Sequence, residues 1–458
     1  MTEHSGQESA PAATVGVPGQ DGVRAGPGRL IPRSWSSVRS PVLMSGGTLL
    51  VGVAGYAFIA LAGNTLPPAD AAAVASFYML VNILGPGVFM ALEQETNRAT
   101  SSGGARAPGL VVRRAAARGA GLLGAVLVVL GTASPLLVSR ALLGHWDLFA
   151  AVVVSAVTAA AVYLVRGLLA GRKLFAGYAA TLAAEGFMRL LPAVLVAVAG
   201  LAAVGSYSIA FALGSGFGAI AGLAWIRRTT ASSPVIEPDI PELGGVRSLA
   251  PLVGATVLAQ LVANLAPVVV TARLATETAT AAAFASGFVL ARVPLFLFSP
   301  VQAVVVPAVA AAATGRDGGR IRRIVRTGGL VAATLGLAGA ALMAAFGPWV
   351  LRTFFGAELP VSGAVLGVLG LGTALLIAAQ VLQAALVALR AHAAVTAWWQ
   401  VSAAVLVAVL ALPVDPVQAA VAAQVAGSAV VVAGMLGTLR TRLRQHTGTE
   451  APGGTDDG

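Results

Sequence analysis

The chain contains no cysteine. Disulfides, thiolate metal sites and cysteine nucleophiles are therefore absent. Histidine is almost as scarce: His4, His145, His392 and His446 lie far apart, which argues against a histidine-built metal centre. Charge is sparse too, at 10% of 458 residues, where soluble domains carry about 25%. A soluble chain of this length would need a wet surface that so few charges cannot supply. No G-x-x-x-x-G-K-[ST] stretch occurs, which excludes ATP hydrolysis through a P-loop. Lysine occurs once, at Lys173, and the remaining basic residues are arginine.

What is present is apolar: 57% of the residues, with 55 glycines. Residues 1–41 are rich in Gly, Pro and Ser and read as a disordered cytoplasmic tail without the apolar core of a signal peptide. Residues 440–458 read as a second cytoplasmic tail. Between them, apolar runs recur at 42–63, 71–92, 119–139, 147–165, 178–199, 203–226, 249–272, 279–312, 328–350, 361–389, 393–413 and 416–439. Most approach the roughly 20 residues that cross a bilayer as a helix. Lipid cannot hydrogen-bond an open backbone, so these runs must be helical. The run at 279–312 is long and carries Pro294, Pro300 and Pro307; it is expected to form one kinked helix.

The basic residues give an orientation. With both tails in the cytoplasm, 24 of the 29 basic residues fall on inner segments, and only Arg140, Arg273 and Arg352 on outer loops. Such asymmetry is the positive-inside signature. Cutting 279–312 in two would put the arginines of 316–326 outside, so one crossing is expected. Trp146, Trp225, Trp349, Trp398 and Trp399 sit near run ends, as an interfacial belt does. The net charge of +11 thus reports membrane orientation, and no nucleic-acid partner is expected.

The Pro-containing stretch 227–248 divides the chain into an N-terminal lobe, 42–226, and a C-terminal lobe, 249–439, of six helices each. An even number per half implies parallel repeats with a cavity between them. No soluble domain remains for catalysis, and outer loops carry at most one acid each. A transporter is expected, not an enzyme, and no cofactor.

Four stretches carry a resemblance: LPPADAAAVASFYMLVNILGPG (66–87), LEQETNR (92–98), RGLLAGRKLFAGY (166–178) and FFGAELP (354–360). Together with the twelve runs, the chain resembles the bacterial polysaccharide and lipid-linked oligosaccharide flippases of the multidrug/oligosaccharidyl-lipid/polysaccharide (MOP) exporter superfamily. The resemblance implies an all-α integral membrane protein of the bacterial plasma membrane. It implies twelve transmembrane helices in two six-helix, MATE-like lobes that work by alternating access. Its implied partners are a lipid-linked glycan such as an undecaprenyl-diphosphate-linked one, membrane lipids and, as candidates, glycan-assembly enzymes. The chain is shorter than the lipid II flippases of that superfamily, and 42–63 lacks the acid that multidrug members often carry in the first helix. A multidrug or metabolite antiporter of the same fold and a membrane-embedded glycan-assembly enzyme stand as alternatives.

Ionisable residues inside the runs mark the candidate site, because each costs about 2.5–3.5 kcal/mol or more at the bilayer centre. Glu185 and Arg189, four apart, share a helix face. Arg189 can meet a phosphate while Glu185 poises it or binds a coupling cation; the alternative is a self-neutralising pair. Arg292 has no acid within ten residues. Its planar fork suits a diphosphate, and Glu185 is the obvious partner if its role is structural. Glu93, Glu95 and Arg98 fall at the inner membrane surface, as a cytoplasmic gate or a solvated network. Asn82, Gln260, Asn264 and Gln302, with Gln380 and Gln383, are polar groups that can line a sugar path or bond between helices. Gly85, Pro86 and Gly87 can hinge or kink the second run.

Overall fold

The computed structural model describes residues 35–102, 108–230, 249–315 and 317–448. The bulk of both expected tails and of the 227–248 linker lies outside the described residues. The described chain is helical: α1 Trp35–Thr65, α2 Pro68–Leu84, α3 Met90–Ser102, α4 Pro108–Leu136, α5 Trp146–Gly171, α6 Phe175–Val198, α7 Val204–Thr230, α8 Ala250–Arg273, α9 Thr278–Leu290, α10 Val293–Leu297, α11 Ser299–Thr314, α12 Gly318–Phe354, α13 Gly363–Ala388, α14 His392–Leu410 and α15 Pro416–Gly448. Among the described residues, twelve helical stretches are long and apolar enough to cross a membrane.

Helix ends outrun the apolar runs. Helix α1 begins at Trp35, α4 at Pro108, α12 at Gly318, and α15 continues to Gly448. Backbone hydrogen bonding does not stop where side chains turn polar, so hydropathy marks the bilayer and not the helix. Helix α12, with 37 residues, is roughly 55 Å long at 1.5 Å per residue, well beyond a hydrocarbon core of about 30 Å.

The eighth run corrects the expectation of a single kinked helix. It is three segments, α9, α10 and α11, broken at Ala291–Arg292 and again at Phe298. Pro294 and Pro300 each sit at the start of the next segment. A proline has no N–H to continue the preceding helix, and its fixed φ suits the first turn of a new one, so the helix stops and restarts. The second run is also interrupted, by a π-helical turn over Gly85–Phe89 that includes Pro86. The Gly87 carbonyl is taken by the Thr256 hydroxyl of α8 at 2.5 Å.

Helices α1 to α7 pack together, as do α8 to α15, and the two groups meet where α2 lies against α8 and α9 and α1 against α9, α10 and α11. Small residues set the close crossings. In the C-terminal group, α13 lies on α12 through Gly363, Gly367 and Gly370, which meet Ala344 and Ala340. In the N-terminal group, Gly214, Gly218 and Gly222 of α7 take the side of α6 and α5. The two groups enclose a cavity of about 980 Å³. Its wall includes Gln94, Pro251 and His392, exposed residues at the Arg-rich helix ends. The cavity therefore opens on the Arg-rich face. At the opposite face the groups touch: the Asn64 side chain donates to the Phe354 carbonyl at 2.8 Å.

Candidate functional site

The N-terminal wall of the cavity is built by α5, α6 and α7. Glu185 and Arg189 do share a face of α6, and their Oε1 and Nη2 atoms are 2.6 Å apart. The pair is not alone. Arg166 of α5 bonds the second Glu185 oxygen, Oε2, and donates from Nε to the Thr181 hydroxyl at 2.9 Å. The Ser215 hydroxyl of α7 donates to Glu185 Oε1 at 2.8 Å and accepts from Arg189 at 2.9 Å. Glu185 is thus saturated by two guanidiniums and a hydroxyl, with only 5% of its side chain exposed. Arg189 also lies on the Phe211 ring at 4.3 Å, and Arg166 stands between the rings of Tyr163 and Tyr178. The close approach of α7 depends on Gly214, because a Cβ there would collide with the Arg189 side chain.

Arg166 was expected in an inner loop. Helix α5 runs on to Gly171 and buries it in the cavity wall. The RGLLAGRKLFAGY stretch begins with this arginine and ends with Tyr178, whose hydroxyl donates to Glu93 at 2.7 Å. That stretch was the available signal, although nothing in its spacing says that its two ends meet one carboxylate network.

Arg292 belongs to the other wall. It caps α10 at the break in the eighth run. The obvious structural partner, Glu185, is engaged elsewhere, so the Arg292–Glu185 pair does not form. The guanidinium instead donates to the Ala263 carbonyl and lies over the Phe288 ring at 4.5 Å. Among the described residues no carboxylate makes a salt bridge with it, and 8% of the residue is exposed. A carbonyl and a ring face satisfy some donors without cancelling the charge. Arginine's five N–H donors leave the fork able to take a further acceptor.

Asn82, Gln260 and Asn264 line the same cavity, together with Gln380 and Gln383. Asn264 donates to the Gln260 side chain at 2.8 Å, which fixes both amides on α8. Gln383 accepts from the Trp399 indole at 2.8 Å. The Gln302 side chain lies outside the described residues. The proposed gate separates into two parts. Glu93 lines the cavity, whereas Glu95 turns to the α4 side, bridging Arg98 at 2.8 Å and Arg118 at 3.4 Å. The heptad LEQETNR winds its acids onto different faces, so Glu95 and Arg98 belong to a network outside the cavity.

Three guanidiniums, Arg166, Arg189 and Arg292, and two carboxylates, Glu93 and Glu185, face this space. Among the described residues that line the cavity the balance is positive, and Arg292 is the cation that makes no salt bridge with a carboxylate. Among the described residues no group of His, Asp or Glu could hold a metal ion.

No protein-family profile matches the sequence and no curated protein matches it. Solved structures do match. An inward-facing conformation of a multidrug resistance MATE family transporter of the MOP superfamily superposes with a TM-score of 0.67 at 13% identity, covering 88% of this chain and 96% of that one. A point mutant of the Vibrio cholerae MATE transporter VcmN gives 0.61 at 17% identity, covering 91% and 98%. An outward-facing MATE structure gives 0.54 at 15% identity, covering 90% and 97%. The chain is an all-α multi-pass membrane protein with the fold of MATE transporters of the MOP superfamily.

Proposed function

We propose that this protein is a transporter of the bacterial plasma membrane that moves a lipid-linked oligosaccharide or polysaccharide precursor across the bilayer by alternating access. The observation that carries the reading is Arg292: a cavity-facing guanidinium with no carboxylate partner among the described residues, on a broken helix between the lobes. An anion is the complement of such a group, and the planar fork of the guanidinium can donate to two oxygens of a diphosphate at once. The neutral amides of Asn82, Gln260, Asn264, Gln380 and Gln383 suit hydroxyl-rich sugar units. A cavity of about 980 Å³ has room for several of them. The lipid tail stays in the bilayer while the head group enters. A membrane potential negative inside favours outward movement of an anion by about 2.3 kcal/mol per charge per 100 mV.

The multidrug antiporter reading has its own support, since the inward-facing structure on which the chain superposes is that of a multidrug resistance MATE family transporter. Charge weighs against it. A cationic drug needs a free carboxylate, and Glu185 is saturated by Arg166 and Arg189. Glu93, the other carboxylate among the described cavity-lining residues, already accepts from Tyr178.

The deciding experiment reconstitutes purified protein in vesicles with a fluorescent undecaprenyl-diphosphate-linked oligosaccharide and follows its exposure to an external glycosidase. Protein-dependent exposure that is lost in Arg292→Ala supports the flippase. Export of ethidium with no movement of the glycolipid would overturn it in favour of the antiporter.

A further inference from the structure

Among the described residues, three cavity-lining polar atoms are buried without a hydrogen-bond partner: the Ser155 hydroxyl, Arg189 Nε and the Tyr56 hydroxyl, of which only the last lies against the helix that carries Arg292. Tyr56 of α1 lines the cavity, and its hydroxyl is buried with no hydrogen-bond partner among the described residues. Buried hydroxyls are nearly always paired, so this donor calls for a ligand. The Tyr56 ring stands edge-on to Phe296, 5.5 Å away and one turn beyond Arg292. Tyr78 of α2 lines the same space, its hydroxyl packed against Gly55 of α1. Both phenols and the Arg292 guanidinium line the same cavity. Gln260 and Asn264 complete the surroundings from α8. The phenols come from the N-terminal lobe; the guanidinium and the amides come from the C-terminal lobe.

We propose that Tyr56 and Tyr78 complete an anion subsite on Arg292 that is whole only while the lobes are closed at the Arg-poor face. The inference rests on the anionic-substrate reading above and adds to it where affinity is gained and lost. The closure is a specific seal. Asn64 of α1 donates to the carbonyls of Ala60 and Phe354, both at 2.8 Å. Gly63 lies so close to the Phe355 carbonyl that a Cβ would collide with it. Gly356 reciprocates: its φ of +63° is open to glycine, and a Cβ there would sit 2.5 Å from the Gly63 oxygen. The FFGAELP stretch thus supplies the C-terminal half of the seal. Tyr56 lies eight residues before Asn64, about 12 Å down the same helix. Opening the seal swings α1 away from the C-terminal lobe and carries Tyr56 off Arg292. The anion then loses its N-terminal donors on the side where it must leave.

The absence of cysteine makes the test clean. Asn64→Cys and Phe354→Cys are introduced together, and the purified protein is measured before and after a short thiol-specific cross-linker. The probe is inorganic pyrophosphate, read by calorimetry. Cross-linking restores the seal that loss of Asn64 weakens, so affinity should rise several-fold. In the cross-linked protein, Tyr56→Phe removes one oxygen and should weaken binding about tenfold, the size of one hydrogen bond to a charged group. Equal affinity before and after cross-linking, or a Tyr56→Phe protein that binds like its parent, overturns the switch while leaving Arg292 in place. Undiminished binding in Arg292→Ala, or no binding by the cross-linked parent, overturns the anion reading itself and the switch with it.

Discussion

At the scale of single residues, the two cavity arginines of the original expectation have different jobs. Arg189 is bound into a buried network with Glu185, Arg166 and Ser215, whereas Arg292 meets a carbonyl and a ring. Substitution should separate them. Arg292→Ala is expected to abolish glycan export while protein in the membrane stays near normal, and Arg292→Lys, which keeps the charge and loses the fork, to export partially. Export by intact cells read beside membrane abundance checks both; normal export in Arg292→Ala, or failure only through loss of protein, would refute the assignment. Glu185→Gln should behave oppositely. It leaves two buried guanidiniums without their carboxylate, and removing one member of a buried pair costs about 3–5 kcal/mol. A marked fall in the melting temperature of the detergent-solubilised protein is the expected result, and an unchanged melting curve would show that the network is not holding α5, α6 and α7 together. Glu185 and Arg189 were legible from their four-residue spacing. Arg166 was not, because hydropathy ended the fourth run before it while the helix continued.

At the scale of elements, breaks and close crossings do the positioning. Pro294 stops α9, so that Arg292 stands at a helix end where its side chain can reach the α8 carbonyl at Ala263. The prolines of this run were visible in the sequence; whether they kink a helix or end it depends on what the freed groups find nearby. The α12–α13 pair shows the other constraint. Gly370 approaches Ala340 so closely that a Cβ would lie 2.6 Å from its Cα. Gly370→Val should therefore force the helices apart at a cost of about 1–3 kcal/mol, the usual range for overpacking. Fluorescence-detected size exclusion should register lower yield and thermal stability, while Gly437→Val, at a glycine with open space around it, should leave both unchanged. Equal behaviour of the two variants would rule out the crossing as a stability determinant.

At the scale of the whole molecule, the chain is two helical lobes parted on the Arg-rich face and sealed on the other. The third crossing of each lobe carries arginines near its start: Arg113, Arg114 and Arg118 on α4, and Arg320, Arg322, Arg323 and Arg326 on α12. Both stretches sit where the positive-inside asymmetry expects the cytoplasm. Reporter fusions at Gly315 and Gly448 should both read cytoplasmic. An extracytoplasmic reading at Gly315 would mean that α9 to α11 do not make a single crossing; one at Gly448 would reverse the orientation of the last helix. Deleting residues 1–30 should leave transport intact, since that stretch has little apolar content to contribute to packing. Loss of insertion or of activity on truncation would assign the tail a role.

Apolar run length and arginine placement were enough to determine the all-helical class, the twelve crossings and the expected sidedness, because the bilayer imposes those terms on any chain one segment at a time. The rare charges within the runs marked Glu185, Arg189 and Arg292 for the same reason: lipid makes each of them expensive wherever it sits. Which charge pairs with which was decided only in three dimensions. Glu185 chose Arg166 and Arg189 over Arg292, and Glu93 and Glu95, two residues apart, went to a cavity and to a helix interface. The seal between Asn64 and Phe354, 290 positions apart, has no local signature at all. Pairing depends on helix rotation and lobe packing, which arise from contacts across hundreds of residues and leave no periodic trace in the sequence.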